Sequence, residues 1–470
     1  MKMLIGEEWV DKKEKIIVKD PYSHGIVDRV PKGTKEDMKK AIDFAVIGFK
    51  ISKNMPVHKR IDILMNTAGI LKKNQEEFVR IICSERGKTV REARKEVSRA
   101  INTITISAEE ARRIVGETLP FDSVPGSESR IGYYYRFPIG IIGAITPFND
   151  PLNLVAHKLG PAIAGGNSIV LKPATATPLS ALKLGEAFIK AGLPKNILNI
   201  VTGYGSEIGD VLVNDDRIRM ITFTGGVQAG LNILKHAGLK KISMELGSNS
   251  PTIIMDDAEI DKAVDLCIYG GFSSAGQSCI GVQRILVHAK VYDDFASKLI
   301  NRANKLKVGC QHNEETDMGP MISEKEATRV EQWVDEALNK GAKLLTGEKR
   351  NGSIYYPTVL ENIPNNVKID CEEVFGPVVC LYKIKSLDEA IKKANNVRFG
   401  LQAGIFTKNI DNAFKAVKEL DVGGVIVNDS SDYRIDMMPF GGVKYSGLGR
   451  EGIKHALMEM TEPKVVCFNL

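Results

Sequence analysis

No stretch of this chain approaches the roughly 20 consecutive apolar residues of a membrane-spanning helix. The opening MKMLIGEEWVDKKEK has no apolar run long enough for a secretory signal. The expectation is a cytoplasmic protein with no membrane partner. Internal repeats and low-complexity linkers are also missing. Charge is not concentrated either: 64 basic and 58 acidic residues leave a formal net charge of +6, spread along the whole chain. A nucleic-acid binder would gather that excess into a stripe or tail, so no nucleic-acid partner is expected. Short basic pairs such as Lys39-Lys40 and Arg112-Arg113 fall in helical patterns and read as solvated faces. The seven cysteines, at 83, 267, 279, 310, 371, 380 and 467, are odd in number and none forms a CxxC pair. That argues against a disulfide framework and against a metal knuckle. Six of them read as small buried hydrophobes or incidental thiols. Cys279 stands apart by its surroundings.

What is present is an ordinary globular composition, 43% hydrophobic and 26% charged over 470 residues, enough for two or three domains. Around Lys35–Phe49 and Arg60–Cys83, apolar residues recur at three- and four-residue spacing, predicting helices. From Ile139 the pattern alternates. IGIIGAITPF, NSIVLKPA, NILNIVTG, RMITFTGG and KISMELG read as strands, with helices such as LNLVAHKLGPAIAGG and LSALKLGEAFIKAG between them. Such alternation predicts a parallel sheet with helices on both faces, a doubly wound dinucleotide-type domain. A second α/β region begins near Ser250. Between the early helices and the first sheet strand, turn residues followed by the alternating aromatics of RIGYYYRFP suggest a β-hairpin arm, and the terminal KVVCFNL is β-prone. Exposed apolar strands are normally paired or covered, so these two pieces are expected to meet at a subunit interface.

Three short segments carry chemistry. GQSC (276–279) places Cys279 after glycine-rich chain at a helix end. MELGSNSP (244–251) places Glu245 at the end of a β-run. TPFNDP (146–151) places Asn149 just past the carboxyl end of a sheet strand, the edge where ligands bind in open α/β sheets. Taken singly, Cys279 is more simply a packed thiol, Glu245 a paired carboxylate and Asn149 an Asx-turn or helix cap. Together they suit aldehyde oxidation. A thiolate adds to the carbonyl, donors stabilise the resulting oxyanion, and a base activates water to release the acid.

With LKPATATP, ITFTGG, EEVFGPVV and PFGGVKYSGLGRE added, the motifs occur in the order found in the aldehyde dehydrogenase superfamily, which the chain resembles over essentially its full length. TPFNDPLNLVAHK is most similar to the lactaldehyde and glyceraldehyde-type members. The resemblance implies Cys279 as nucleophile, Glu245 as base and Asn149 as oxyanion donor. It implies a cofactor domain (1–118 and 139–246), a catalytic domain (247–455) and a small β oligomerisation arm (119–138 and 456–470), with assembly as a homodimer or homotetramer. By position, Lys172 would reach the adenosine ribose of NAD or NADP, and Gly225 and Gly230 would open a helix whose N–H groups face the pyrophosphate. Glu373 and Phe375 would hold the nicotinamide ribose and ring. Lys172 could otherwise be a strand-end surface lysine, and Phe375 a core residue in a strand-entry turn.

Departures from the family pattern bear on specificity. Where many NAD-using members carry a glutamate after LKPA, this chain has Thr175, which removes a charge that would repel a 2′-phosphate and admits NADP beside NAD. Asp150 replaces an apolar residue, so it either faces a polar, hydroxylated substrate or serves as a helix N-terminal carboxylate. Ser278 stands where members acting on phosphorylated glyceraldehyde often have arginine, leaving Arg284 and Arg434 as possible substitutes. The expected substrate is a small hydroxylated aldehyde. Non-phosphorylating glyceraldehyde-3-phosphate and succinate-semialdehyde dehydrogenases are the alternatives. Retention of Glu245 argues against a coenzyme A-acylating member. The full site set argues against an inactive binding homologue.

Overall fold

The computed structural model describes residues 1–470. Its largest sheet has eight strands, in the spatial order Glu8–Val10, Met3–Ile5, Leu198–Ile200, Ser168–Lys172, Ile141–Ile145, Ile218–Thr224, Lys241–Glu245 and Gly447–Leu448. The five central strands run parallel, while both edges are antiparallel. Within those five the chain starts in the middle at Ile141–Ile145, steps outward twice, then returns to build the other side. This reversal makes a crevice at the carboxyl ends of Ile141–Ile145 and Ile218–Thr224.

Burial on both faces follows from strand alternation. Ile142, Ala144, Ile169 and Leu171 pack into one core with the helices Val57–Lys73, Val90–Ala111 and Asn153–Ala164. Ile141, Val170 and Ile221 face the other way, against Met38, Ile42 and Leu212 of the helices Lys35–Ser52 and Gly205–Asn214. The second α/β region is a seven-stranded sheet around Pro251–Ile254, Arg284–His288 and Val378–Ile384 with its own core.

Three features differ from the expectation. The N-terminal residues form four short strands, Met3–Ile5, Glu8–Val10, Lys15–Lys19 and Ile26–Pro31. Two of these are too short to show periodicity, yet they extend the cofactor sheet. The second early helical segment is two helices, Val57–Lys73 and Gln75–Arg86, because Asn74 leaves the helical region between them. The terminal strand Thr461–Asn469 pairs within the same chain, antiparallel to Arg130–Pro138 over nine residues, and Glu117–Leu119 completes that small sheet. No helix is long and apolar enough to cross a membrane.

Candidate active site

Four of the singled-out residues sit at the carboxyl ends of adjacent parallel strands. Asn149 follows Ile141–Ile145, Lys172 ends Ser168–Lys172, Gly225 follows Ile218–Thr224, and Glu245 ends Lys241–Glu245. Sheet register alone therefore collects them along one rim, although they lie far apart in sequence.

Cys279 reaches that rim from the other domain. The helix Ile260–Phe272 ends in a left-handed turn, with φ of 53° at Ser274, 52° at Ala275 and 67° at Gly276. Non-glycine residues pay for that region, and such strain persists only where packing imposes it. A Cβ on Gly276 would stand 2.1 Å from the Gly376 carbonyl oxygen, so the cysteine loop lies directly on the turn that holds Glu373 and Phe375. Arg86, fully buried, ties the loop to Asn149: its Nε–H donates to the Asn149 carbonyl at 3.1 Å and its Nη2 to the Ser274 carbonyl at 3.3 Å. Its guanidinium also lies over the Phe148 ring, which meets Phe375 edge-to-face with centroids 5.7 Å apart.

Cys279 and Asn149 both line a cavity of about 710 Å³. The Asn149 side-chain amide makes no hydrogen bond within the protein, although the residue is 8% exposed. Burial pushes the Cys279 thiol up, against the pull of the Arg434 cation. Glu245 is not part of the cavity wall. It is 2% exposed, with neither carboxylate oxygen partnered. Desolvation first, and the nearby Glu451 carboxylate second, hold its carboxyl well above the usual range. Gly441 makes room for it: a Cβ there would stand 2.8 Å from Glu245 Oε1.

The structure places the cofactor candidates as follows. Lys172 is buried with no carboxylate partner; its ammonium donates to the Pro173 carbonyl at 2.9 Å, and desolvation brings it down to about 8. That rules out an ordinary surface lysine. Thr175 donates its hydroxyl to the Gly203 carbonyl at 3.0 Å. The Gly225 N–H is taken by the Glu245 carbonyl at 3.0 Å and the Gly230 N–H by the Gly226 carbonyl at 3.1 Å, so neither faces an anion itself. Their role is steric: Cβ atoms there would meet Phe223 and Leu246 at 2.6 Å. The N–H groups without a helical acceptor are those of the first turn of Val227–His236, between the two glycines. Glu373 accepts from the Ser248 N–H at 2.8 Å, and burial pushes its carboxyl up to about 7. Phe375 is half-buried with φ of 46°.

A network of buried charges was not legible in the sequence. Lys88 bridges Glu96 and Asp150, Arg99 bridges Asp150 and Asp436, and Asp436 also meets His157. Asp150 lines the cavity but its charge is engaged by Lys88 and Arg99, which hold its carboxyl at about 2. It is thus neither a free substrate contact nor a simple helix-end carboxylate. Lys158 and Arg434 both bond Glu451, at 2.9 and 3.1 Å. A lysine in the midst of the apolar helix LNLVAHKLGPAIA was the one available signal for this group. Arg284 is not free to bind a phosphate: it is a buried strand residue whose guanidinium caps the carbonyls of Asn249, Lys393 and Ala394. Arg434 does line the cavity.

The chain as a whole matches a known family. The model of the aldehyde dehydrogenase family matches residues 9–466. The chain belongs to that family. A 3-sulfolactaldehyde dehydrogenase of Priestia aryabhattai is 48% identical, covering 100% of this chain and 98% of the relative. A lactaldehyde dehydrogenase of Methanococcus aeolicus is 41% identical over 99% of this chain and 100% of the relative. Among solved aldehyde dehydrogenase folds, the glyceraldehyde-3-phosphate dehydrogenase GapN of Methanocaldococcus jannaschii, complexed with NADP, superposes with a TM-score of 0.95 at 40% identity, covering 98% of this chain and 100% of the other.

Proposed function

We propose that this aldehyde dehydrogenase uses NAD or NADP to oxidise a small hydroxylated aldehyde, such as lactaldehyde or glyceraldehyde, to its carboxylic acid. The observation that carries this reading is the shared cavity wall of Cys279 and Asn149, where a thiol and an uncommitted amide face the same space. The Cys279 thiol passes its proton to water in the cavity, the thiolate adds to the carbonyl carbon, and the carbonyl oxygen becomes an alkoxide. The Asn149 amide N–H donates to that oxygen, an interaction stronger in the tetrahedral state than in the flat aldehyde. Loss of hydride leaves a thioester on Cys279. When bound, the nicotinamide dinucleotide supplies the hydride acceptor. Glu245, once ionised, takes a proton from water, the hydroxide adds to the thioester, and the thiolate leaves as the acid forms.

The residues on the rim suit such a dinucleotide. Lys172 is a buried amine with no acidic partner, suited to ribose hydroxyls. The first-turn N–H groups of Val227–His236 suit the pyrophosphate. The uncapped side of the Glu373 carboxylate and the Phe375 ring suit the nicotinamide half. Thr175 presents no charge to a 2′-phosphate. The small three-stranded sheet, with Tyr135, Phe137 and Val465 exposed, is the surface through which the chain would form a homodimer or homotetramer.

One observation favours a second reading, an aldehyde with an anionic end. Arg434 stacks on Phe440 and bonds Glu451 through Nη2, while its buried Nε has no partner. The name of the Priestia relative, with its sulfonate, agrees with a cation there. The test is a panel of lactaldehyde, glyceraldehyde, glyceraldehyde-3-phosphate and succinate semialdehyde, each with NAD and with NADP. Reduced cofactor and acid should form in equal amounts, and Cys279→Ala should form neither. Preference for the two uncharged hydroxyaldehydes supports the first reading; preference for the charged pair replaces it with the second.

A further inference from the structure

One acid of the cavity wall retains an open acceptor beside the nucleophile. Asp432 follows the strand Gly424–Val427 and lines the cavity with Cys279. The Ser278 hydroxyl donates to its Oδ1 at 2.8 Å. Ser278 immediately precedes the nucleophile, so this bond ties the Asp432 carboxylate to the loop that carries Cys279, on the wall of the same cavity. Oδ2 makes no hydrogen bond within the protein and is not sealed from solvent.

Most of the neighbouring acids are committed elsewhere, and Asp429, which accepts only the Ser430 N–H, has no bond to the cysteine loop. Asp150 is held by Lys88 and Arg99, and Asp436 by Arg99 and His157. Glu92 accepts from the N–H groups of Thr89 and Ser274. Asp432 has no cation within ion-pair distance. Lys95 and Arg99 act on it from further away, Asp150 opposes them, and burial lifts its carboxyl to about 7. A carboxylate in that position gains from a donor that the substrate itself brings.

We propose that Asp432 recognises the hydroxyl on the carbon adjacent to the aldehyde, accepting its hydrogen bond at Oδ2. The assignment rests on the reading that the substrate is a hydroxylated aldehyde, and makes Asp432 the residue that selects it over the plain aldehyde of equal length. Hydrogen bonds to a charged acceptor differ from water by factors of about 10 to 100; partial exposure of Asp432 puts the expected effect near the lower figure.

Lactaldehyde and propanal, which differ by that hydroxyl, are the probes. With the full-length enzyme, kcat/KM should favour lactaldehyde, and Asp432→Ala should lower the lactaldehyde-to-propanal ratio about tenfold. Ser278→Ala removes the bond that holds Oδ1 but leaves Oδ2 as an acceptor, so the preference should weaken less than in Asp432→Ala. Asp432→Asn keeps an acceptor for Ser278 and serves if the alanine variant fails to fold; its ratio should fall too. A parallel loss on both aldehydes, or an unchanged ratio, overturns the proposal and makes Asp432 a support for the cysteine loop. If wild type oxidises neither aldehyde, the substrate reading fails instead. If it oxidises both equally, only the Asp432 assignment fails.

Discussion

Glu245 shows what burial does to a single side chain. With two unpartnered oxygens, desolvation and then the nearby Glu451 charge push its carboxyl well above the usual range, and only the ionised form can take a proton from water. Turnover should therefore rise with pH along a limb that Glu245→Gln abolishes. The variant should release about one equivalent of reduced cofactor per site in a burst and then nearly stop, because acylation precedes the step that needs the base; steady turnover at the wild-type rate would remove the role. The same shift bears on stability. The folded carboxyl titrates above its ordinary 4.5, so folding holds a proton that the unfolded chain has lost. Below about pH 4.5 the cost is absent, and it grows as pH rises towards the folded value. Thermal melts should show Glu245→Gln more stable than wild type at pH 8 and level with it at pH 4. Thr175 offers a second test at this scale. A carboxylate in its place gives up the bond to Gly203 but meets the ribose hydroxyls of NAD, a charge-assisted contact of roughly 1.5–3 kcal/mol, and repels a 2′-phosphate. In Thr175→Glu, the ratio of catalytic efficiencies with NADP and NAD should fall about tenfold or more. A ratio that stays put would mean that Thr175 does not face the ribose.

Among the elements, the left-handed turn before Cys279 has the most demanding backbone. Its geometry brings the thiol from the end of Ile260–Phe272 back over the cofactor sheet, and it closes against the turn carrying Glu373 and Phe375. Gly276→Ala adds a Cβ where only 2.1 Å separates it from the Gly376 carbonyl, on a residue with φ of 67°. One of the two turns must move. We expect turnover to fall by about 10² or more, as misplacement of a reacting group by an ångström does, while circular dichroism retains the fold. Full activity in Gly276→Ala would mean that the thiol does not depend on this turn. The motif GQSC was readable as a site for a reactive cysteine. That its glycine stacks on EEVFGPVV was not, because a contact between residues one hundred positions apart leaves no local periodicity. The helices and parallel strands from Ile139 onward were readable, since continuous β-branched runs and three-and-four spacing are local signals. Met3–Ile5 and Glu8–Val10 were not, because three residues cannot display a period.

For the whole molecule, the small sheet joins the two ends of the story told by the chain: Arg130–Pro138 leaves the early helices and Thr461–Asn469 ends the sequence, yet they pair along their full length. Tyr135, Phe137, Val465 and Phe468 remain exposed upon it. Deleting residues 461–470 strips the partner from Arg130–Pro138 and leaves an open edge. Light scattering should find the full chain as a dimer or tetramer and the truncated chain in a smaller or aggregated state; an unchanged mass would place the subunit contact elsewhere. Sequence by itself determined the reaction class, because motifs spread from TPFNDP to PFGGVKYSGLGRE occur in the order of the family to which the chain belongs. It also determined the doubly wound architecture, whose signals are local. Only tertiary structure decided how those groups are poised. The raised carboxyl of Glu245, the raised thiol of Cys279, the ion-paired Asp150 and the uncommitted oxygen of Asp432 all depend on burial and on charges from distant segments. Desolvation and Coulomb interactions act through space, and no order of residues along the chain records them.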